Sequence, residues 1–350
     1  MALEAELTDL YQDWRTPDPP EATLVQPVDY RAANGRVIVG REAAVVICVY
    51  TEDRWDRILG AVTSVQKQDC PPVELLVVVD HNRPLLERIR LELPELWTVE
   101  NTYPQGLAGA KNTALDIVQS PLVAFLDDDA EAAPDWLSRL LDALADPRVV
   151  AVGGHTAPVW VQGRPPWFPE EFNWVVGCSH RGMPTELEAV RNVSGGCSAM
   201  RTQVVRAAGG YRTELGRRGS NFAGCEETEL CIRMKRHNPD AVLLVDPHAR
   251  IDHFLPEGRG RWAYFWRRCF AEGRSKALVS VMVGADQALS AERSYSSGVL
   301  PAGVWAGLRR GMVGEWWGFA RAAAIVAGLA CACAGFASKR VALALVRRPT

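Results

Sequence analysis

The sequence has no repeated Cys-x-x-Cys pair, no surplus of basic residues, and no apolar core in its opening stretch, MALEAELTDLYQDW. Each absence removes a class of protein. The nine cysteines are an odd number, and Cys48, Cys197, Cys225 and Cys231 fall in apolar or helical surroundings. Without paired spacing they read as reduced thiols and not as a disulfide framework. Cys331 and Cys333 lie two apart in an alanine-rich run, which does not make a zinc site. With 39 Lys and Arg against 42 Asp and Glu, nothing in the balance points to a nucleic acid. The acidic N-terminus lacks a secretory signal, so the expectation is a cytoplasmic protein. A composition 48% hydrophobic and 23% charged argues against disorder. The 350 residues suffice for one large α/β domain with additions, or for two domains.

What is present begins at Ala43. Residues 1–42 are a proline-broken preamble, with a short strand expected over 36–40 and no chemistry assigned. AAVVICVY then reads as a strand buried on both faces. A helix follows, with Trp55, Ile58, Leu59, Val62 and Val65 at helical spacing, and Pro71 and Pro72 end it. VELLVVVD (73–80) is a second strand, RPLLERIRLEL a helix, WTVEN a short strand, GLAGAKNTALDIVQS a glycine-rich turn and helix. The fourth strand is VAFLDDDA, Val123 to Ala130. This β-α alternation predicts a mostly parallel, doubly wound sheet, whose ligands bind outside the carboxyl ends of the strands. Asp80 and the aspartate triplet both lie at such ends.

Asp127, Asp128 and Asp129 are adjacent carboxylates that repel one another, a cost a divalent cation removes. Hard oxygen ligands suit Mg2+ or Mn2+, shared with substrate phosphates. The alternative is a solvated acidic turn capping the next helix. Asp80, His81 and Asn82 suit a ribose or base, or a helix cap. Lys111 and Asn112 stand at the head of a helix after a glycine-rich turn, a place that favours phosphate. Downstream, the aromatic, proline-rich stretch 163–183 reads either as an acceptor wall or as a covered satellite core. The helix GCEETELCIRMKRH (224–237) opens with Glu226, Glu227 and Glu229. Glu229 and Arg233 form an i,i+4 pair. Glu226 and Glu227 are less well explained locally, which makes a carboxylate here a candidate general base. AVLLVDPHARIDHF is read as two apolar pieces around Pro247, and His253 lies near Arg259, Arg261, Arg267 and Arg268, a basic cluster that fits phosphate. Residues 286–301 are polar. The run Ala322 to Ser338 is uncharged for 17 residues between Arg321 and Lys339-Arg340. It predicts a helix lying on or shallowly in a membrane, or else packed on the catalytic domain.

Several motifs in order resemble the family 2 glycosyltransferases of the GT-A fold, over roughly 43–277. AAVVICVY-TED is similar to their opening strand and donor loop, VVVDHN to their second strand, and NTYPQGLAGAKN to their Asn…Gly-x-x-x-Ala-Arg-Asn stretch, with Lys111 in place of Arg. FLDDDA resembles their DxD motif, GCEETELCIRM their Glu-Asp-x-Glu/Asp-Leu helix, and DHF…RRCFAEGRSKA their basic C-terminal segment. PWFPEEFNWVVGC and GRSKA further resemble a subgroup acting on polyprenyl-phosphate-linked sugars, hexuronosyl transferases among them. The resemblance implies a GT-A catalytic domain over 43–277 and a helical, membrane-associating region over 278–350. It implies that Thr51 and Glu52 border the base, Asp80 binds uracil or ribose, Lys111 approaches the nucleotide and Asp127 touches the ribose. Asp128 goes with the nucleotide set or orients the turn, while Asp129 and His253 hold Mg2+ or Mn2+. The family's base is the Asp of its Glu-Asp pair, here Glu227, with Glu226 the other candidate. The expected activity is metal-dependent, inverting transfer of a hexosyl or hexuronosyl unit. The donor is a nucleoside diphosphate sugar, UDP foremost, and the acceptor is a hydroxyl on a glycan, a lipid-linked sugar or a small molecule. The competing readings are a retaining transferase, a sugar-1-phosphate nucleotidyltransferase and a non-catalytic nucleotide-sugar-binding protein.

Overall fold

The computed structural model describes residues 42–219 and 222–346. Nearly all of the preamble, including the strand expected at 36–40, lies outside these residues. The chain runs β1 (Ala43–Val49), α1 (Trp55–Gln66), β2 (Glu74–Val79), α2 (Arg83–Glu92), β3 (Trp97–Glu100), α3 (Leu107–Ile117) and β4 (Leu122–Asp127). It continues through β5 (Ala130–Ala132), α4 (Trp136–Ala143), β6 (Val149–Trp160), β7 (Glu188–Ala189), β8 (Cys197–Arg201), α5 (Thr202–Ala207), α6 (Glu226–His237) and β9 (Val242–Leu255).

The strands form one sheet in the order β3-β2-β1-β4-β8-β6-β9-β5, with β7 paired to β9. The block β3-β2-β1-β4 is parallel, as the alternating pattern requires. Beyond it the sheet is mixed: β8 runs antiparallel to both β4 and β6, whereas β6 and β9 are parallel. The period of two along β1 explains the layering. Ala43, Val45, Ile47 and Val49 pack with α1, α2 and α4 through Ile58, Leu85, Ile89 and Leu140. Ala44 and Val46 face the other way, onto Ala110 and Ala114 of α3, Val205 of α5, and Leu230 and Met234 of α6. Both faces are covered, which is why β1 and β4 read as unbroken apolar runs.

The stretch around Pro247 is a single strand and not two pieces. Between the pairs Gly153–Val245 and His155–Arg250 the register slips, and Pro247 sits in that bulge, where no ladder hydrogen bond is asked of it. Pairing resumes in register beyond it, so β9 continues to the site.

From Trp262 to Val346 the chain is mostly helical: α7 (Trp262–Val283), α8 (Ala285–Ala288), α9 (Ser290–Ser294), α10 (Leu300–Met312) and α11 (Trp317–Val346). The polar stretch 286–301 is thus mostly helical. The alanines and glycines of α11 let backbones touch. A Cβ on Gly273 of α7 would stand 1.9 Å from the Ala332 carbonyl oxygen, and one on Gly318 2.4 Å from that of Gly307 in α10. The aromatic stretch contributes Phe168 and Phe172 to a satellite core with Phe265, Ile325 and Cys331. Trp174 stays partly exposed on a cavity, so the segment is both packing and wall.

This close packing predicts that Gly273→Ala forces α7 and α11 apart. Overpacking of this kind costs about 1–3 kcal/mol, and each kcal/mol lowers the melting temperature by about 2–4 °C in a chain of this size class. Gly298→Ala, where nothing lies within 4 Å of the added Cβ, leaves thermal denaturation nearly unchanged.

Candidate active site

One cavity of about 1470 Å³ lies along the carboxyl ends of β1, β2 and β4 and continues beneath α7, α10 and α11. The chain reaches it by simple strand logic. β4 ends at Asp127, Asp128 and Asp129 form the turn, and β5 pairs back antiparallel to β9 with Ala130 opposite His253. The Phe254 N–H donates to the Asp129 carbonyl at 2.9 Å. That pairing carries His253 from 124 residues downstream to the side of the triplet.

Asp127, Asp129 and His253 can each offer one ligand atom, all within 4.8 Å of one another. Asp129 is buried. Its Oδ1 lies 3.2 Å from His253 Nε2, and its Oδ2 accepts from Arg259 at 2.9 Å and lies 3.2 Å from Arg54. Burial alone would raise its carboxyl. His253, Arg259 and Arg54 outweigh burial and hold it well below the usual range. Asp128 is the opposite case. Burial pushes it up to about 7, with Asp129 and Asp127 adding to the rise and Arg54, 2.5 Å from its Oδ1, opposing it. The other oxygen of Asp128, Oδ2, has no hydrogen-bond partner among the described residues, nor has His253 Nδ1. The Arg259 Nη1 lies 2.8 Å from His253 Nε2. An arginine N–H only donates, so that contact asks Nε2 to accept, whereas the Asp129 carboxylate 3.2 Å away asks the same atom to donate. Arg259 and Asp129 thus make opposite demands on one ring nitrogen, a conflict that a cation bound by the imidazole and the carboxylate would remove. Two carboxylates and one imidazole therefore fit a divalent metal on donor chemistry.

Asp127 stands over Gly196. A Cβ there would lie 2.1 Å from the Asp127 carboxyl carbon, so only glycine lets β8 pass beneath the acid. The neighbouring Gly195 carbonyl accepts from Lys111 Nζ at 2.9 Å. Lys111 is buried, with its ammonium 5.3 Å from the Phe125 ring centroid and 4.9 Å from that of Tyr211. It supports the floor of the cavity from behind. Asn112 does not reach the cavity either; it donates to the Tyr211 carbonyl at 2.8 Å and accepts from its N–H.

Asp80 lines the cavity, with its carboxylate accepting from the Gly106 N–H at 2.9 Å and from Asn101 at 2.7 Å. It ties the glycine-rich turn before α3 to the end of β2. Asn82 caps α2 through Leu85 N–H. Thr51 caps the short turn Glu52–Arg54, and Glu52 is exposed; neither is among the residues lining the cavity.

α6 enters the cavity by its N-terminus, after Cys225 in the left-handed region (φ 74°). Glu226 is buried, and Glu227 lines the cavity on the side of Gly195. Burial and the Glu226 carboxylate push the Glu227 carboxyl up to about 7, against the pull of the Lys111 ammonium. A carboxyl poised there is matched to taking a proton near neutral pH. Glu229 faces away and is clamped by Arg233 at 2.5 Å and Arg212 at 3.1 Å. The structure thus brings Asp80, Asp127, Asp128, Asp129, His253, Glu226 and Glu227 to one cavity. It adds Arg54 and Gly196, which the sequence reading did not single out. The Gly-Gly pair ahead of a strand was the available signal for the second; a lone arginine in a helix-forming stretch gave none for the first.

The sequence profile described as Glycosyl transferase family 2 matches residues 44–209. The chain is 34% identical to the glucosyl-dolichyl phosphate glucuronosyltransferase of Haloferax volcanii over 245 residues, 69% of this chain and 78% of that protein. It is 23% identical to the succinoglycan biosynthesis protein ExoM of Rhizobium meliloti over 233 residues, 65% of this chain and 72% of the relative. Among solved structures, the mannosyltransferase PcManGT from Pyrobaculum calidifontis, in complex with GDP-Man and Mn2+, shares the GT-A fold. The TM-score is 0.51 at 19% identity, over 97% of this chain and 94% of that one. With the parallel block, the acidic strand end and the glutamate helix disposed about one cavity, the chain belongs to glycosyl transferase family 2 and is a glycosyltransferase.

Proposed function

We propose that the protein transfers a hexosyl or hexuronosyl unit from a nucleoside diphosphate sugar, UDP foremost, to a hydroxyl of a polyprenyl-phosphate-linked sugar, with inversion. The observation that carries this reading is the facing of two unlike acid groups across one cavity. The Asp127–Asp129–His253 cluster has ligand atoms within 4.8 Å of one another, and Glu227 is poised at about 7. The name of the 34% identical relative supports the donor and acceptor classes.

Asp127, Asp129 and His253 would hold Mn2+ or Mg2+, the imidazole favouring Mn2+. When bound, the ion would offset the charge of a nucleoside diphosphate leaving group. Arg54 and Arg259, already on the acidic turn, place further positive charge beside that group. Asp80 fixes the glycine-rich turn that borders the nucleotide, with Thr51 and Glu52 at its outer rim. Glu227 takes the proton from the acceptor hydroxyl, and attack on the far face of the anomeric carbon inverts its configuration. Glu226 and Lys111 act through Glu227, the first raising and the second lowering its proton affinity.

In this reading the enzyme works at a membrane surface, and the C-terminal helices support that. Trp305, Met312, Val313, Trp316 and Trp317 are exposed near the α10–α11 turn, with Arg309 and Arg310 beside them. α11 is long and apolar enough to cross a bilayer, with a mean hydropathy of 1.8 over its best window. Its contact with α7 and α10 favours a helix that lies in the interface, its tryptophans at headgroup level.

Three outcomes test this. Glu227→Gln lowers kcat by about 10²–10⁴-fold while donor binding by thermal shift is kept, and proton NMR shows product of the anomeric configuration opposite to the donor's. Glu227 must be ionised to act, so kcat/KM falls as pH drops below about 7. Glu226→Gln moves that limb down and Lys111→Met moves it up. A limb unmoved by either would remove Glu227 from the role, as would product of retained configuration from the mechanism.

Chelation abolishes transfer and Mn2+ restores it. Asp129→Ala or His253→Ala weakens Mn2+ binding, read by electron paramagnetic resonance, by at least the ~10–100-fold seen for outer-shell partners.

Co-sedimentation with vesicles containing anionic lipid retains the wild-type protein. It loses Trp316→Ala/Trp317→Ala and weakens with salt. Equal recovery of both proteins in the pellet would count against the surface placement.

A further inference from the structure

The basic cluster of the sequence divides in three dimensions. Arg259 turns to Asp129 and Arg261 to solvent, where it pairs with Glu257 at 2.8 Å. Arg267 and Arg268 line the cavity without pairing to the acidic turn. Arg268 lies 2.8 Å from Glu272, and Lys276 lies 2.6 Å from Glu292, which Arg191 also holds. All six of these charged groups line the same cavity. Arg191, Arg267, Arg268 and Lys276 set four cations against the two carboxylates Glu272 and Glu292, a surplus of two. No partner reaches the Arg267 guanidinium among the described residues. Arg268 is 8% exposed, and its Nε has no hydrogen-bond partner among them. A buried guanidinium with an unused donor is costly unless an anion completes it.

The position of this cluster gives it a use. Gly224, three residues before Glu227, has Arg268 as its nearest neighbour: a Cβ there would lie 3.2 Å from Nη2. The guanidinium carbon of Arg268 stands 6.0 Å from the Trp174 ring centroid, and the Trp174 indole donates to Tyr295 at 3.2 Å. The same cavity also has an apolar lining, from Val299 and Leu300 and from Leu329, Ala332 and Phe336 of α11. The same cavity is thus lined by Glu227, the Trp174 ring, a cationic patch and apolar side chains of α11.

We propose that Arg267, Arg268 and Lys276 form a second anion subsite, distinct from the acidic turn, that holds the phosphate of the lipid-linked acceptor. Its isoprenoid chain leaves along the α11 wall, and its sugar lies between Trp174 and Glu227. The assignment rests on the reading of the enzyme as a transferase to a lipid-linked sugar, and it adds the residues that recognise the lipid phosphate. Arginine suits this task because its planar fork meets phosphate oxygens in pairs.

The test is calorimetric binding of farnesyl phosphate to the full chain without donor, with farnesol and inorganic phosphate as separate arms. The wild type is expected to bind farnesyl phosphate about tenfold or more tightly than either. Arg267→Ala and Arg268→Lys each weaken farnesyl phosphate about tenfold and leave farnesol unchanged. The exposed Arg267 guards against a folding artefact at Arg268, and a retained donor thermal shift confirms the fold of both variants. Farnesyl phosphate binding unaffected by both substitutions overturns the subsite. Inorganic phosphate binding as tightly as farnesyl phosphate overturns the lipid assignment. Binding in the expected pattern, alongside no transfer to any lipid-linked sugar, would sink the proposed acceptor and leave the subsite standing.

Discussion

The crowding of three carboxylates at the end of one buried strand is the constraint on which the rest of the structure depends. Asp127, Asp128 and Asp129 cannot all be ionised and unpaired in so buried a place. The protein resolves this by three means at once. Asp129 is flanked by His253, Arg259 and Arg54, Asp128 has its proton affinity raised towards neutrality, and Asp127 is left facing the cavity over a glycine. Each partner arrives from a different part of the chain. Arg54 comes from the turn before α1, His253 from the middle strand of the mixed half, and Arg259 from the loop before α7. The acidic turn therefore works as a junction that fixes the relative placement of the parallel block and the C-terminal half.

The same economy of charge recurs on the other side of the cavity. Glu227 is raised by burial and by Glu226, while Lys111, held beneath by aromatic rings and the Gly195 carbonyl, keeps the rise moderate. Lys111 and Glu227 are thus electrostatically linked through the glycine pair that also makes room for Asp127. One short segment, Gly195-Gly196, lies between Asp127 of the acidic turn and Lys111 beside Glu227. A side chain at either position would disturb both halves of the site.

The C-terminal helices add what the sheet cannot. Their small residues bring α7, α10 and α11 into backbone contact, which frees the larger apolar residues to point outward. That is why a helix of membrane-like composition is also part of the cavity wall. Leu329, Ala332 and Phe336 of α11 line the same cavity as the acidic turn.

The alternation of apolar strands and amphipathic helices was legible from residue 43 to Asp129, because burial on both faces of a parallel sheet leaves a strong local signal. So was the acidic triplet, and so were the paired glutamates, since like charges side by side have no local explanation. The sequence by itself thus determined the parallel block, its crevice and the two acidic clusters that line it. Only the tertiary structure decided who meets whom. His253 reaches Asp129 through β5–β9 register, and β9 survives Pro247 because the bulge asks no hydrogen bond of it. Lys111 and Arg54 owe their placement to partners 84 and 74 residues away, Gly195 and Asp128. Pattern along a chain reports burial and period, which are local. The pairing of charges depends on distances of a few ångströms between segments that the chain brings together only by folding.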